Sequence, residues 1–193
     1  MVLLVWGMNG TPLPPQHGAP LRLVVPGWYG MAQVKWLTRI DVLTHPFDGF
    51  QNTTAYRRKV EIDEAGEPVT RIRPRALLAP PGMPDFMTRE RFVRAGSVAL
   101  TGRAWSGGAP VDRVEVSTDG GRSWSDARVA TPDPAHPYTW QAWTYDWTAS
   151  PGRYELLVRA TDESGDTQPV EQDWNLQGMA NNLAQRVPVT VLG

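Results

Sequence analysis

The sequence predicts an all-β protein, and three observations predict it. Glycine and proline each occur 18 times in 193 residues, a turn-rich composition that argues against a helix bundle. Several stretches alternate apolar and polar residues with period two, the period of a strand with one buried face. Nothing in residues 2–43 sustains the longer period of an amphipathic helix.

Taken in order, Val2 to Trp6 is an apolar run read as a short strand, and Leu21 to Val25 is another, stopped by Pro26-Gly27. Trp36 to Leu43 alternates in part, with Trp36, Ile40 and Val42 opposite Arg39 and Asp41. Residues 57–85 change character, passing through basic, acidic and basic stretches to Pro80-Pro81-Gly82-Met83-Pro84, the composition of a linker or a wrapping segment. Beyond residue 86 the strand signal strengthens. Val98, Leu100, Gly102 and Ala104 share one face, as do Val114 and Val116, and Tyr154, Leu156, Val158 and Ala160. Asp119-Gly120-Gly121 is a hairpin turn in which glycine accepts positive φ, with Trp124 to Val129 as the expected return strand. Gln141 to Trp147 and Arg186 to Leu192 add two more strands. About seven short strands in roughly a hundred residues is the immunoglobulin-like sandwich pattern. The expected organisation is a strand-rich region over 1–75, a linker over 76–85 and a β-sandwich over 86–193.

Composition narrows the functional classes. A net charge of -1 gives no electrostatic basis for binding nucleic acid or an anionic membrane. With no cysteine, the chain forms no disulfide and no thiolate metal site. No stretch has the length of a membrane span, and Val2-Leu3-Leu4-Val5-Trp6 is too short for a signal-peptide core and lacks a basic start, so the compartment stays open. His17, His45 and His136 are too scattered for a metal motif, and no phosphate-binding glycine loop is present.

Chemistry concentrates in His17 to Gly30 and Gln33 to Trp36. A histidine, Arg22 and Lys35 are set on turns of Pro and Gly, an arrangement suited to a phosphate-bearing ligand. Tyr56 is open to two readings: a half-buried loop residue, or a phenol that donates a hydrogen bond or relays a proton. Trp105, Trp124, Trp140, Trp143, Trp147 and Trp174 are better explained by core and interface packing than by a sugar platform. In a continuous strand Trp140 and Trp143 fall on opposite faces.

Two sets of motifs in the same chain resemble the sulfite oxidase family of molybdenum-cofactor oxidoreductases. Met8-Asn9-Gly10, Leu13-Pro14, His17-Gly18, Arg22, Pro26-Gly27, Gly30 and Val34-Lys35-Trp36 are similar to the closing section of that family's cofactor domain. Ala104-Trp105-Ser106-Gly107-Gly108, Val114 to Gly121 with Trp124, and Trp174-Asn175-Leu176 with Gly178 and Asn182 are similar to its C-terminal dimerisation domain. The resemblance implies that residues 1–75 are the C-terminal remnant of a molybdopterin-binding domain and that 86–193 are an immunoglobulin-like dimerisation domain forming a homodimer. It implies molybdopterin contacts at His17, Arg22, Gln33, Val34 and Lys35, and an active-site tyrosine near the metal's oxo group at Tyr56.

Three departures accompany it. The section of the family's cofactor domain that carries the metal-ligating cysteine has no counterpart here, nor does the substrate-side arginine of that section. Gln177 stands where animal and plant sulfite oxidases carry a substrate-binding arginine, and a neutral amide offers no charge-assisted fork to an oxyanion. The expectation is therefore the C-terminal portion of an oxygen-atom-transfer enzyme, inactive alone and holding no molybdenum tightly. A preceding segment or a partner chain would supply the rest. The alternatives are one chain of a split enzyme, and a non-catalytic Trp-rich dimerisation or binding module.

Overall fold

Strand pairing organises most of the chain, but in two very different ways. The computed structural model describes residues 1–193. It divides into two units, Met1–Ile72 with Asp173–Asn181, and Arg73–Gln172 with Asn182–Gly193. No helix is long and apolar enough to cross a membrane.

The first unit is made of short two-stranded pieces. β1 (Leu3–Val5) leads into a hairpin of β2 (Gly7–Met8) and β3 (Thr11–Pro12). Its two-residue turn is Asn9-Gly10, both at positive φ, the chemistry that matches strand twist in a tight hairpin. β4 (Arg22–Val24) returns antiparallel to β1, placing Leu3, Leu4 and Val5 opposite Val24, Leu23 and Arg22. β5 (Arg57–Arg58) and β6 (Glu67–Pro68) form a second hairpin. Single tight turns occupy Pro15–His17 and Gly30–Ala32, and a wider one Gln51–Ala55. The strand expected over Trp36 to Leu43 does not form: Leu37 N–H donates to Leu21 O, and Ile40 and Val42 are exposed with no ladder to join. Alternation makes a strand only where a partner edge is available.

The second unit is a two-sheet sandwich. Its strands are β7 (Arg75–Ala79), β8 (Met83–Pro84), β9 (Arg91–Arg94), β10 (Gly96–Trp105), β11 (Val111–Ser117), β12 (Ser125–Asp126), β13 (Arg128–Val129), β14 (Gln141–Ala149), β15 (Gly152–Asp162) and β16 (Arg186–Leu192). One sheet runs β13-β14-β10-β7 and the other β12-β11-β15-β16-β9-β8. All pairs are antiparallel except β16 with β9. Leu100, Ala104, Trp143 and Trp147 from the first sheet meet Val114, Val116, Leu156, Val158, Val189 and Val191 from the second in one buried cluster. Gly102 sits directly opposite Trp143, where a Cβ would collide with Leu77 O and the indole, so glycine is required for that approach.

Two details depart from the strand pattern read in the sequence. Part of the segment read as linker is strand, because Ala76 and Leu78 alternate with Leu77 and are buried in β7. The return strand read over Trp124 to Val129 is split between the sheets. β12 pairs with β11, Ala127 N–H donates to Val114 O, and β13 pairs with β14. Trp124 precedes this crossing. Its ring lies 4.1 Å from the Arg159 guanidinium, which also forks Glu115 at 2.8 and 3.0 Å. This pairing holds the Glu115 carboxyl below its usual range.

Amide side chains, two of them buried, tie the sandwich together along the free side of β7. Gln168, fully buried, accepts from Ala76 N–H at 2.7 Å and from Ala160 N–H at 3.2 Å, and donates to Ala76 O and Leu183 O at 3.4 Å. Gln185 accepts from Leu78 N–H at 3.2 Å, and Asn182 donates to Pro74 O at 3.0 Å.

Candidate functional site

The first unit brings His17, Arg22 and Lys35 together. Gly18, at positive φ, ends the Pro15–His17 turn, and a Cβ on it would stand 2.8 Å from Lys35 Cβ. That contact lets the 33–36 segment cross directly over the turn. Lys35 Nζ donates to Gln16 O at 2.9 Å and lies 4.7 Å from the Trp36 ring centroid. Trp36 N–H donates to Gly18 O at 3.2 Å and its indole N–H to Pro15 O at 2.9 Å. Arg22, half-buried on β4, reaches His17 O through Nη1 at 3.4 Å, and its buried Nε has no partner. A buried guanidinium donor without an acceptor is costly to leave, and it matches what a phosphate oxygen supplies.

Gln33 and Val34 hold the backbone around Lys35, Gln33 through its side chain and Val34 through its carbonyl. The Gln33 side chain accepts from Val25 N–H at 2.9 Å and donates to Val25 O at 2.9 Å and Trp28 O at 3.3 Å. It clamps the Pro26-Gly27 turn with an amide that has little left to offer a ligand. Val34 O accepts from Leu23 N–H at 2.8 Å, fixing the residue before Lys35 to β4.

Tyr56 follows the Gln51–Ala55 turn and is half-buried. Its N–H donates to Gln51 O at 3.0 Å and its carbonyl accepts from Val69 N–H at 3.0 Å, so its backbone bonds run to a different group of residues from those around Arg22. Arg57, next to it, holds the 57–68 hairpin loop by donating to Ala65 O, Gly66 O and Asn52 O. Gln177 is exposed in the turn Asn175–Gly178. There Asn175 is buried and exchanges two hydrogen bonds with Met179. Leu176 N–H donates to Lys59 O at 2.8 Å, which joins the Gln177 turn to the residue that directly follows β5.

Sequence reasoning did not find the cleft at this junction. It encloses about 650 Å³ and is lined by Arg58, Lys59, Glu64, Glu67, Asp173 and Trp174, among others. More than a hundred residues separate its two walls in the chain, and no local pattern marks such a meeting.

Comparison with known proteins agrees with the motifs. The family model described as the oxidoreductase molybdopterin binding domain matches residues 1–51, and the Mo-co oxidoreductase dimerisation domain matches residues 81–192. The chain is 31% identical to a NADH nitrate reductase of Hordeum vulgare over 98% of its own length and 23% of that protein's. It is 34% identical to the mitochondrial sulfite oxidase of Homo sapiens over 98% of its length and 36% of that protein's. The chain thus spans between about a quarter and a third of these relatives. Among solved structures, the sulfane dehydrogenase SoxCD from Paracoccus pantotrophus superposes with a TM-score of 0.82 at 28% identity, covering 96% of this chain and 48% of that one. With its sandwich matched nearly end to end and its first unit matched through the Arg22 and Lys35 motif, the chain belongs to the family of molybdenum-cofactor oxidoreductases that includes the sulfite oxidases and nitrate reductases.

Proposed function

We propose that the first unit holds the phosphate end of a molybdopterin cofactor, as part of an oxidoreductase whose second unit pairs with its own copy. The observation that carries this is Arg22: a half-buried guanidinium with an unsatisfied Nε, beside His17 and Lys35, in the segment matched to the molybdopterin-binding domain. Arg22 and Lys35 give a phosphate charge-assisted hydrogen bonds, and His17 adds a third donor at the edge. Gln33 keeps the Val25–Trp28 turn rigid, so Lys35 is presented in one orientation. When bound, the cofactor supplies two-electron and oxygen-atom-transfer chemistry. Tyr56 Oη donates a hydrogen bond on the reacting side, and Gln177 contacts substrate as a neutral amide. These 193 residues include no cysteine, so the thiolate for the metal comes from polypeptide outside them.

Titration of the purified chain with inorganic phosphate tests the site. Saturable binding is expected, weakened by about fivefold or more in Arg22→Gln and Lys35→Gln. Equal phosphate binding by the parent and both variants overturns it. Metal analysis of protein from cofactor-producing cells should find no stoichiometric molybdenum. Light scattering should give a dimer, and a monomer at high concentration removes the self-pairing role.

The alternative function, a non-catalytic aromatic binding or dimerisation module, is favoured by one feature. Trp105 and Trp140 stack at 4.4 Å and 16°, with Trp140 59% exposed. Dimerisation that survives Trp140→Ala while phosphate binding is absent points to the sandwich as the working part through some other surface.

A further inference from the structure

We propose that the cleft between the β5–β6 hairpin and the Asp173-Trp174 segment binds an organic zwitterion of amino-acid to dipeptide size. The proposal rests on the enzyme function above, because it assigns a substrate class to the side of the unit that carries Tyr56 and Gln177.

Volume gives the first reason. The cleft encloses about 650 Å³, within the range of about 300–1,000 Å³ that organic ligands occupy, and far more than a bare oxyanion fills. Charge gives the second. Two cations and three carboxylates line it, so its balance does not favour a dianion. Most of these groups are already engaged. Arg58 stands 3.8 Å from Glu67, and the Glu64 carboxylate accepts from Val60 N–H at 3.0 Å. Lys59 Nζ and the Asp173 carboxylate remain, one group of each sign, neither with a hydrogen bond or ion pair. A ligand carrying both an anionic and a cationic end satisfies both; a simple oxyanion satisfies one and is repelled by the other.

The third reason is Trp174, which lines the same cleft and is 65% exposed. Its ring offers an apolar face to the body of the ligand and a favourable surface for an ammonium group. The walls are held in register by the Leu176 N–H to Lys59 O bond, so the Lys59 and Trp174 walls are tied directly.

The test is calorimetric titration of the full chain, free of cofactor, with glycylglycine, N-acetylglycylglycine, glycylglycinamide and sodium sulfate. Glycylglycine is expected to bind in the millimolar range. Capping either end should weaken binding about fivefold. Lys59→Gln should abolish the penalty for capping the carboxylate end, Asp173→Asn the penalty for capping the amine, and Trp174→Ala should weaken every dipeptide. All three side chains border open solvent, so the variants should fold, and their melting temperatures check this. Capped and uncapped dipeptides binding alike, or sulfate binding more tightly than glycylglycine and losing affinity in Lys59→Gln, overturns the proposal. Phosphate titration through Arg22 is read on the same protein. Loss of the dipeptide response with an intact phosphate response therefore refutes the zwitterion site alone, and loss of the phosphate response refutes the cofactor site alone.

Discussion

The two units solve the problem of apolar side chains in opposite ways. The sandwich unit gathers Leu100, Trp143, Leu156 and Val189 between two sheets and caps the free side of β7 with its own amides. The first unit forms a comparable variety of hydrogen bonds yet buries only Leu13 and Val69 among its larger aliphatic side chains. Trp6, Trp36, Ile40, Val42, Phe47, Phe50 and Ile62 stay at the surface. Hydrogen bonds set the local shape of both units, but burial stabilises only one of them strongly, since each bond formed replaces one to water. In proteins generally, exposed apolar surface of that extent is a common feature of interaction sites.

Paired tryptophan variants should break this contrast most sharply if it is wrong. Trp143 is 1% exposed and Trp36 is 55% exposed. Trp143→Ala should cost the sandwich about 3–5 kcal/mol, and Trp36→Ala should stay within about 0.5–1 kcal/mol, read as denaturant midpoints. Similar losses for both would mean that the first unit has a core after all. Next in size, Gln168→Leu leaves Ala76 N–H and Ala160 N–H without their acceptor in a dry interior and should destabilise the sandwich by at least about 2 kcal/mol. Gln33→Leu is the matching substitution in the first unit. Its partners are only part-buried, so water replaces the lost amide and the expected cost is about 1 kcal/mol, with faster amide exchange at Val25.

The smallest effect expected is on pH dependence. The Ser123 hydroxyl, the Ser123 and Arg122 N–H groups and the Ser117 hydroxyl hold the Asp119 carboxyl well below its usual range. A carboxyl depressed in the folded state stabilises fully above its unfolded value, about 3.9, and loses that contribution as pH falls toward the folded value. Melting temperature of the sandwich should therefore fall as pH drops from about 5 to about 2, and less steeply in Asp119→Asn. Identical slopes would remove Asp119 from the account.

Much of the sandwich was legible because period-two alternation reports a single buried face. Leu100 and Ala104 in β10, and Leu156, Val158 and Ala160 in β15, are buried as their spacing requires. The same signal at Ile40 and Val42 misled, since it carries no information about whether a partner strand exists. Leu157 is buried as well, on the face opposite its neighbours, because the loop bearing Gly121 folds against it. In the first unit the motif around Arg22 marked a real cluster, with contacts only 5 residues apart for Arg22 and His17. What stayed hidden were amide contacts over long separations, such as Gln168 to Ala76 across 92 positions and Gln185 to Leu78 across 107. The clamp made by Gln33 was hidden for another reason. Its residue type suits a ligand contact or a clamp equally, and only the geometry of Val25 and Trp28 shows the clamp.

The glutamines along β7 also determine how this molecule can meet another. β7 is the last strand of its sheet, and such a strand ordinarily offers a template onto which a foreign strand adds, leading to fibres or misassembly. Here the outward N–H groups of Ala76 and Leu78 are already occupied by Gln168 and Gln185. A neighbouring chain has no open row of donors to copy on that border. Association of two sandwiches must then proceed through side chains on a face or through one of the other borders, at β13, β12 or β8, and concentrated protein is protected from growing without limit along β7.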